Sequence, residues 1–251
     1  MDNISTALPL WDLYRSFLSK ARFTDLTHAF FPDQPHFPAF PNEQREVIFN
    51  VPEHGFEVTR YTIVGQWGTH IDAPSHFVAG GRSVDAIPVE QMLLPLVVID
   101  ISIRVAANPD TTALLSDVHD WESRNGRMPE NAFVALRTGW SPRWPDADAF
   151  ANKDAAGIAH YPGWSREVLE FFVESRKVTA IGHEVTDTDP GTSTSKGDYS
   201  VEAYWLGQDR WQIELMTNLA GLPEAGALLL ASWPKPLAGS GYPARLVAIQ
   251  P

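Results

Sequence analysis

The run from Leu94 to Ile101 limits the choice of folds more than any other segment of this 251-residue chain. It reads Leu-Pro-Leu-Val-Val-Ile-Asp-Ile, a short and nearly continuous apolar stretch. Such a run is typical of a buried strand. A second buried strand is predicted from Ala132 to Arg137, with a helix from about Leu115 to Arg124 between the two. Strands and helices alternate without a strict βαβ rhythm, and we predict a single mixed α/β domain.

Shorter sequence patterns predict further helices, strands and loops in the rest of the chain. Apolar residues at helical spacing predict an N-terminal helix from Leu10 to Leu18, and Ser165 suits the N-cap of a later helix. The segment Phe30–Pro41 is dense in proline and aromatic residues, which predicts an extended, ordered loop that lines a pocket or reaches a second subunit. We assign residues 1–41 to an N-terminal helix and proline-rich arm of one domain spanning residues 1–251. Further strands are predicted at Glu57–Val64, Val178–Gly182, Ala227–Trp233 and Ala244–Ile249.

Composition narrows the possible partners. The chain has 19 Lys and Arg residues against 31 Asp and Glu residues, a net charge of −12. Because affinity for nucleic acid and anionic lipid rests on clustered basic residues, neither partner is expected. The absence of cysteine excludes thiolate chemistry, so any metal must be bound by His, Asp, Glu or Gln. The first residues do not resemble a signal peptide and no apolar stretch is long enough to span a bilayer, so we expect a cytoplasmic protein.

The most informative polar segment is residues 66–77, Gln-Trp-Gly-Thr-His-Ile-Asp-Ala-Pro-Ser-His-Phe. We predict that it continues the strand that begins at Glu57, with a turn that brings His76 back over the strand. One imidazole, one carboxylate and one amide oxygen then converge near a second imidazole, as a divalent cation and a catalytic base require. Alternation along the strand places four positions on the same face: Gln66, Gly68, His70 and Asp72.

The same residues also have a less specific interpretation. A lone His-x-Asp pattern more often forms a hydrogen-bonded pair, in the core or at the surface, than a metal site. The pattern by itself leaves both interpretations open.

The whole segment resembles the signature of the cyclase-like metal-dependent hydrolases, His-x-Gly-Thr-His-x-Asp-x-Pro-x-His. That family includes bacterial kynurenine formamidase, isatin hydrolase and trans-dienelactone hydrolase. A Thr-Gly-Trp element at residues 138–140 and the segment at residues 212–219 extend the resemblance over most of the chain. The signature positions that match are Gly68, Thr69, His70, Asp72, Pro74 and His76, followed by the usual aromatic residue at Phe77.

The resemblance implies a role for each matching residue. His70 and Asp72 correspond to metal ligands, and His76 corresponds to the residue that transfers protons. Glu214 corresponds to a ligating glutamate near the C-terminus of the family.

Two positions depart from the family pattern. Gln66 stands where the signature has its first His, and Glu202 stands where the family often has a ligating His twelve residues before the glutamate. Both side chains are therefore expected metal ligands that supply oxygen in place of imidazole nitrogen. This change favours a harder ion, Mn²⁺ over Zn²⁺. Loss of one metal position is the competing explanation.

A second polar cluster follows the strand predicted at residues 178–182. Family members have an Asp- and Thr-rich segment at this point that borders the site, so His183 and Glu184 are expected catalytic residues that orient the substrate or hydrogen-bond the ligands. A capped loop rich in Asp and Thr is the equally open alternative.

For the protein as a whole, the resemblance implies a swivelling β/β/α fold assembled as a homodimer or homotetramer. It also implies a metal-dependent hydrolase that opens or cleaves a small amide, imide or lactone with water activated by a divalent metal. Two alternatives stay open: a lactone hydrolase of the dienelactone type, and a non-catalytic binding protein on the same fold.

Overall fold

The computed structural model describes residues 9–251, which contain eleven strands and eight α-helices. The strands are β1 (Arg22–Asp25), β2 (Gln44–Phe49), β3 (Val58–Thr62), β4 (His70–Asp72), β5 (Leu93–Asp100), β6 (Phe133–Arg137), β7 (Ala180–His183), β8 (Trp211–Glu214), β9 (Ala227–Ser232), β10 (Gly241–Pro243) and β11 (Arg245–Gln250). The helices are α1 (Leu10–Ser16), α2 (Val51–His54), α3 (Ser102–Ala107), α4 (Leu115–Asn125), α5 (Ala147–Ala151), α6 (Arg166–Phe171), α7 (Gly191–Thr194) and α8 (Ser200–Gly207).

Nine of these strands form one sheet in the order β1-β11-β9-β5-β6-β7-β8-β4-β10. The four central strands, β5 to β8, run parallel, and every pairing outside them is antiparallel. Parallel neighbours need long crossover connections, which here contain α3 and α4, α5 and α6, and α7 and α8. The predicted mixed α/β architecture is confirmed.

Strand β5 shows why the apolar run is continuous. Val97 and Ile99 pack into a core cluster with residues of α4 and α6, whereas Leu96 and Val98 pack into a second cluster on the other face of the sheet. Successive strand residues point to opposite faces, so a strand covered on both sides must be apolar at every position.

The second cluster lies inside the curled sheet. Ile71 of β4 and Ile213 of β8, near one end of the sheet, belong to the same cluster as Leu229 of β9 and Leu246 of β11, near the other end. One apolar cluster can collect residues from both ends because the sheet curls around it. The helices cover the opposite face and complete the other cluster.

The prediction of one long strand from Glu57 through Asp72 is wrong. Strand β3 ends at Thr62 and pairs with β2 in a separate two-stranded hairpin, and only His70–Asp72 joins the main sheet. Gly68 has φ +63°, in the left-handed region, which breaks the alternation that an extended strand requires.

The predicted N-terminal helix is found as α1, and residues 1–8 of the predicted N-terminal segment lie outside the described residues. Helix α1 is followed by a 3-10 turn at Leu18–Lys20, within two residues of the predicted end. The remaining predicted strands are found as β3, β7, β9 and β11, and the Ser165 hydroxyl accepts a hydrogen bond from the Val168 backbone at the start of α6.

Between residues 9 and 251, no helix combines the length and the apolar character needed to cross a membrane.

Candidate functional site

The pairing of β4 with β8 brings the site together. His70 lies opposite Glu214, and Asp72 lies opposite Gln212. The pair between them consists of two isoleucines that are fully buried inside the curled sheet. Because alternate residues point to opposite faces, the four polar side chains share the other face of the sheet.

Three of the predicted ligands form one compact group. His70, Asp72 and Glu214 are buried, and each offers an atom within 4.8 Å of the other two. Nε2 of His70 lies 3.4 Å from Oδ2 of Asp72 and 3.6 Å from Oε2 of Glu214. Nδ1 of His70 is 2.8 Å from the Gly68 carbonyl oxygen, to which it donates. That bond directs Nε2 toward the two carboxylates, so one nitrogen and two oxygens face a common point.

The electrostatics of this group call for a positive charge. Oδ1 of Asp72 is sealed from solvent and has no hydrogen-bond partner among residues 9–251. Burial raises the pKa of Asp72, but the His70 and His76 imidazoles outweigh it and hold the pKa at about 2. Burial and the neighbouring carboxylates raise the pKa values of Glu202 and Glu214 well above their usual range. A divalent cation relieves this repulsion, and the donor set of imidazole and carboxylates fits one.

Glu202 lies beside the group of three. It is carried by α8, whose first turn is held by Asp189 through hydrogen bonds from two backbone N–H groups, each of 2.9 Å. The side-chain amide nitrogen of Gln212 lies 2.9 Å from Glu202 Oε1, 3.3 Å from Asp72 Oδ2 and 3.2 Å from Glu214 Oε1. One amide thus bridges three carboxylates, and Glu202 joins the ligand group through it.

The structure places the predicted ligand Gln66 next to His76, apart from the group of three. Its amide nitrogen is 3.3 Å from Nδ1 of His76 and 3.4 Å from the Ser240 hydroxyl oxygen. Nε2 of His76 lies 4.0 Å from Oδ1 of Asp72. Because Gly68 interrupts the strand, strand alternation does not place Gln66 beside His70, and the Gln66 amide contacts His76 instead.

His183 lies behind the ligand group. It is fully buried, with Nε2 3.4 Å from Oε1 of Glu214. Burial lowers its pKa to about 3, so the imidazole is neutral. His183 does not line the cavity described below, and its position is one from which it can contact Glu214 but not a bound substrate.

Glu184 points to a different part of the molecule, which corrects the expectation that it borders the substrate. Its carboxylate accepts hydrogen bonds from the Thr138 N–H at 2.6 Å, the Thr138 hydroxyl at 2.9 Å and the Gly139 N–H at 2.7 Å. A fourth bond comes from the Ser141 hydroxyl at 2.8 Å. Both oxygens are therefore used to hold the loop that follows the neighbouring strand β6.

A cavity of about 220 Å³ opens over the ligand group. Its lining combines the predicted polar residues with several aromatic side chains, and three of the lining residues come from the proline-rich loop. That loop lines a pocket, the first of the two predicted possibilities. The cavity is lined by His36, Phe37, Phe40, Gln66, His70, Asp72, His76, Phe77, Thr186, Asp187, Tyr199, Glu202, Glu214 and Leu215.

Two polar residues of the site were not singled out from the sequence. Asp187 lies in the cavity wall, and burial raises its pKa to about 6. Gln212 is the amide that bridges the carboxylates. The spacing of Gln212 and Glu214 on one strand was a usable signal, because residues two apart share a face. Asp187 lies in the Asp- and Thr-rich segment after β7 that the family resemblance places at the border of the site, but the sequence does not indicate which residue of that segment lines the cavity.

Comparisons with known proteins show which family this chain resembles. The family model described as "Putative cyclase" matches residues 24–190. An isatin hydrolase from Roseibium aggregatum is 32% identical over 189 residues, covering 73% of this chain and 71% of that protein.

Two solved structures are similar over nearly the whole chain. Isatin hydrolase A from Labrenzia aggregata, bound to benzyl benzoate, has a TM-score of 0.88 and 32% identity, covering 96% of this chain and 98% of that one. Isatin hydrolase A from Ralstonia solanacearum has a TM-score of 0.87 and 33% identity, with 100% of each chain covered. The expected fold is confirmed, and the site holds a donor set that suits a divalent metal. This chain belongs to the cyclase family.

Proposed function

We propose that this protein hydrolyses the C–N bond of a small aromatic cyclic amide of the isatin type. The observation that carries the proposal is the group of His70, Asp72 and Glu214 at the base of a cavity with an aromatic wall. Two features of the relatives support it: they carry the name isatin hydrolase, and their similarity extends over most of the chain.

The cavity suits a flat ring. Phe37 and Phe40 contact each other, with ring centroids 5.1 Å apart, and Tyr199 lies edge-on to Phe37 at 6.0 Å. Aromatic side chains pack well on planar ligands, while the few polar groups opposite them fix the orientation of a ligand. A fused bicyclic amide has one flat apolar face for this wall and a polar edge for the carboxylate wall.

His70, Asp72 and Glu214 are the residues that would hold the metal. When bound, a divalent cation supplies Lewis acidity, which polarises a carbonyl and lowers the pKa of water. The one imidazole and several oxygen donors of this site favour Mn²⁺ over Zn²⁺, which prefers nitrogen and sulfur ligands. Glu202 lies beside these residues and accepts a hydrogen bond from the side-chain amide of Gln212.

His76 moves the proton of the reaction. Water adds its oxygen to the amide carbon, the C–N bond breaks, and the leaving nitrogen gains one proton while the water loses one. An imidazole can accept a proton and release it again, so one side chain can serve both transfers. The Gln66 side-chain amide contacts Nδ1 of His76, so Nε2 is the nitrogen that faces Asp72 and the cavity.

We further propose that residues 1–251 act as one domain that assembles as a homodimer or homotetramer. Helix α1 exposes Leu10 and Trp11, both more than three-quarters accessible, and the β2–β3 hairpin exposes Val47 and Tyr61. A two-stranded hairpin is marginally stable alone in water, so a second copy covering it is the simplest support. Light scattering during gel filtration tests this, and a monomeric mass would contradict it.

The experiment that tests the function is isatin turnover by protein prepared metal-free and then loaded with Mn²⁺. We expect turnover that needs the metal and is lost in His70→Ala. An aromatic lactone is assayed in parallel, because faster cleavage of its C–O bond would contradict the amide assignment. Tight binding of isatin without any turnover would instead indicate a binding protein.

A further inference from the structure

We propose that Asp187 is a specificity-determining residue whose free carboxylate oxygen accepts a hydrogen bond from the N–H of the bound cyclic amide. This inference rests on the proposed function and deepens it. According to this inference, Asp187 causes the preference of the protein for an unsubstituted cyclic amide over a lactone or an N-alkylated amide.

The two oxygens of Asp187 have different surroundings. Oδ2 accepts hydrogen bonds from the Tyr161 hydroxyl and, at 3.0 Å, from the Thr186 hydroxyl. Oδ1 accepts none among residues 9–251, yet it is not one of the side-chain atoms sealed from solvent. The residue is 6% exposed and lines the cavity, so Oδ1 is an open acceptor at the cavity wall.

The position of Asp187 is fixed from behind. The Tyr161 hydroxyl also lies 2.6 Å from the Thr194 hydroxyl oxygen, which ties the side chain to α7. Asp187 therefore presents Oδ1 without the entropy loss of ordering a mobile side chain. It is not part of the compact ligand group of His70, Asp72 and Glu214, so its open oxygen is available to a substrate.

A substrate N–H needs such an acceptor. An amide N–H that enters a largely aromatic cavity gives up its hydrogen bond to water, and the loss is costly unless a protein acceptor replaces it. A lactone has an oxygen at this position, which would face the Asp187 carboxylate as acceptor against acceptor. A site built to bind an N–H rejects analogues that lack it.

Asp187→Asn is the sharpest test because it reverses the polarity at the cavity. The Tyr161 and Thr186 hydroxyls would hold the carbonyl oxygen of the new amide, which turns its NH₂ group toward the substrate. Glu202→Gln is the matched control, since it makes the same change from carboxyl to amide at another buried residue that lines the cavity.

The measurement is kcat/KM for isatin and for N-methylisatin at pH 8, with Mn²⁺-loaded protein. We expect wild type and Glu202→Gln to prefer isatin by about tenfold or more, and Asp187→Asn to lose that preference. An unchanged ratio in Asp187→Asn, or a ratio that changes equally in Glu202→Gln, would overturn the proposal.

A binding measurement separates this inference from the proposed function. Dissociation constants of 2-oxindole and N-methyl-2-oxindole are measured by calorimetry on the same three proteins. An N–H preference that only Asp187→Asn abolishes supports the inference even if isatin is not turned over. Isatin turnover without an Asp187-dependent preference supports the function and overturns the inference. Failure of both oxindoles to bind also overturns the inference.

Discussion

His70 and Glu214 lie directly opposite each other on the antiparallel strands β4 and β8, with 3.6 Å between Nε2 and Oε2. Side chains of directly opposed strand residues are close neighbours by construction of the sheet. The metal-binding geometry therefore depends on strand register. A slip of either strand by one residue would turn the side chains of that strand over and move its ligand into the core cluster inside the curled sheet.

Gly68 should be sensitive to substitution for two reasons. It has φ +63°, and an added Cβ would lie 2.9 Å from the Phe30 Cβ, while its carbonyl oxygen orients His70. We predict that Gly68→Ala lowers the free energy of unfolding by about 2 kcal/mol or more and weakens metal binding. Gly55→Ala is the control, because Gly55 has φ +78° with nothing within 4 Å of an added Cβ. If urea unfolding shows the same loss of unfolding free energy in Gly68→Ala and Gly55→Ala, the contact with Phe30 does not cause the loss.

Loss of the His76 imidazole should affect catalysis and leave metal binding intact. We predict that His76→Ala lowers kcat by about 10² to 10⁴ while metal content stays at the wild-type level. Gln66→Ala should have a smaller effect in the same direction, because it only releases the imidazole from its orientation. Metal analysis together with steady-state kinetics checks both variants. Wild-type turnover in His76→Ala would remove His76 from the proton transfer.

Gln212 should stabilise the ligand wall. Replacing it by Leu leaves Asp72, Glu202 and Glu214 without their shared donor, at a cost of about 1 to 3 kcal/mol for each buried group left unsatisfied. We predict a loss of stability in urea that added Mn²⁺ partly restores. Thr188→Val, which removes only the hydroxyl that donates to Gln212 Oε1 at 2.7 Å, should cost less. Equal stability of Gln212→Leu and wild type would contradict the bridging role.

The stability of the protein should fall in mild acid partly through His28. Burial lowers the pKa of this imidazole to about 4, and its ring stacks on Trp144 with centroids 4.2 Å apart. The unfolded chain takes up this proton near pH 6.5, but the folded chain takes it up only near pH 4. The stabilisation of the folded protein by the neutral His28 is therefore complete above pH 6.5 and is lost as the pH falls from 6.5 to 4.

Comparison with His28→Phe isolates this contribution, since the variant keeps the stacking and cannot titrate. His183, with a pKa of about 3, has an effect of the same sign in both proteins and cancels in the difference. The free energy of unfolding, measured in urea from pH 8 to pH 4, should decline less steeply in His28→Phe. Parallel curves would show that His28 is not protonated on unfolding in this range.

Local patterns predicted the fold class and most strands, because burial on both faces shows directly in sequence. The run at residues 94–101 became β5, and its alternate residues do enter two different cores. The proximity of His70 to Asp72 was also readable, since both stand on the same short strand.

The remaining features depended on long-range structure. An unbroken strand would place Gln66 on the same face as His70, but the left-handed backbone at Gly68 interrupts the alternation on which that prediction depends. Glu184 follows β7, but its partners come from the loop after β6, and only the parallel pairing of these strands brings them together. Oδ1 of Asp187 is open because both hydroxyl partners of this side chain, Tyr161 and Thr186, donate to Oδ2. Tyr161 is distant in sequence, so this arrangement could not be predicted.

The central claim is that His70, Asp72 and Glu214 hold a divalent metal. The most direct test is elemental mass spectrometry on protein purified without chelator, beside Asp72→Asn and Glu214→Gln. Asp100→Asn serves as the control, because Asp100 pairs with Arg137 and does not line the cavity. We predict close to one equivalent of Mn or Zn in wild type and the control, and none in the two site variants. A metal-free wild type that also gains no thermal stability from added Mn²⁺ or Zn²⁺ would contradict the account.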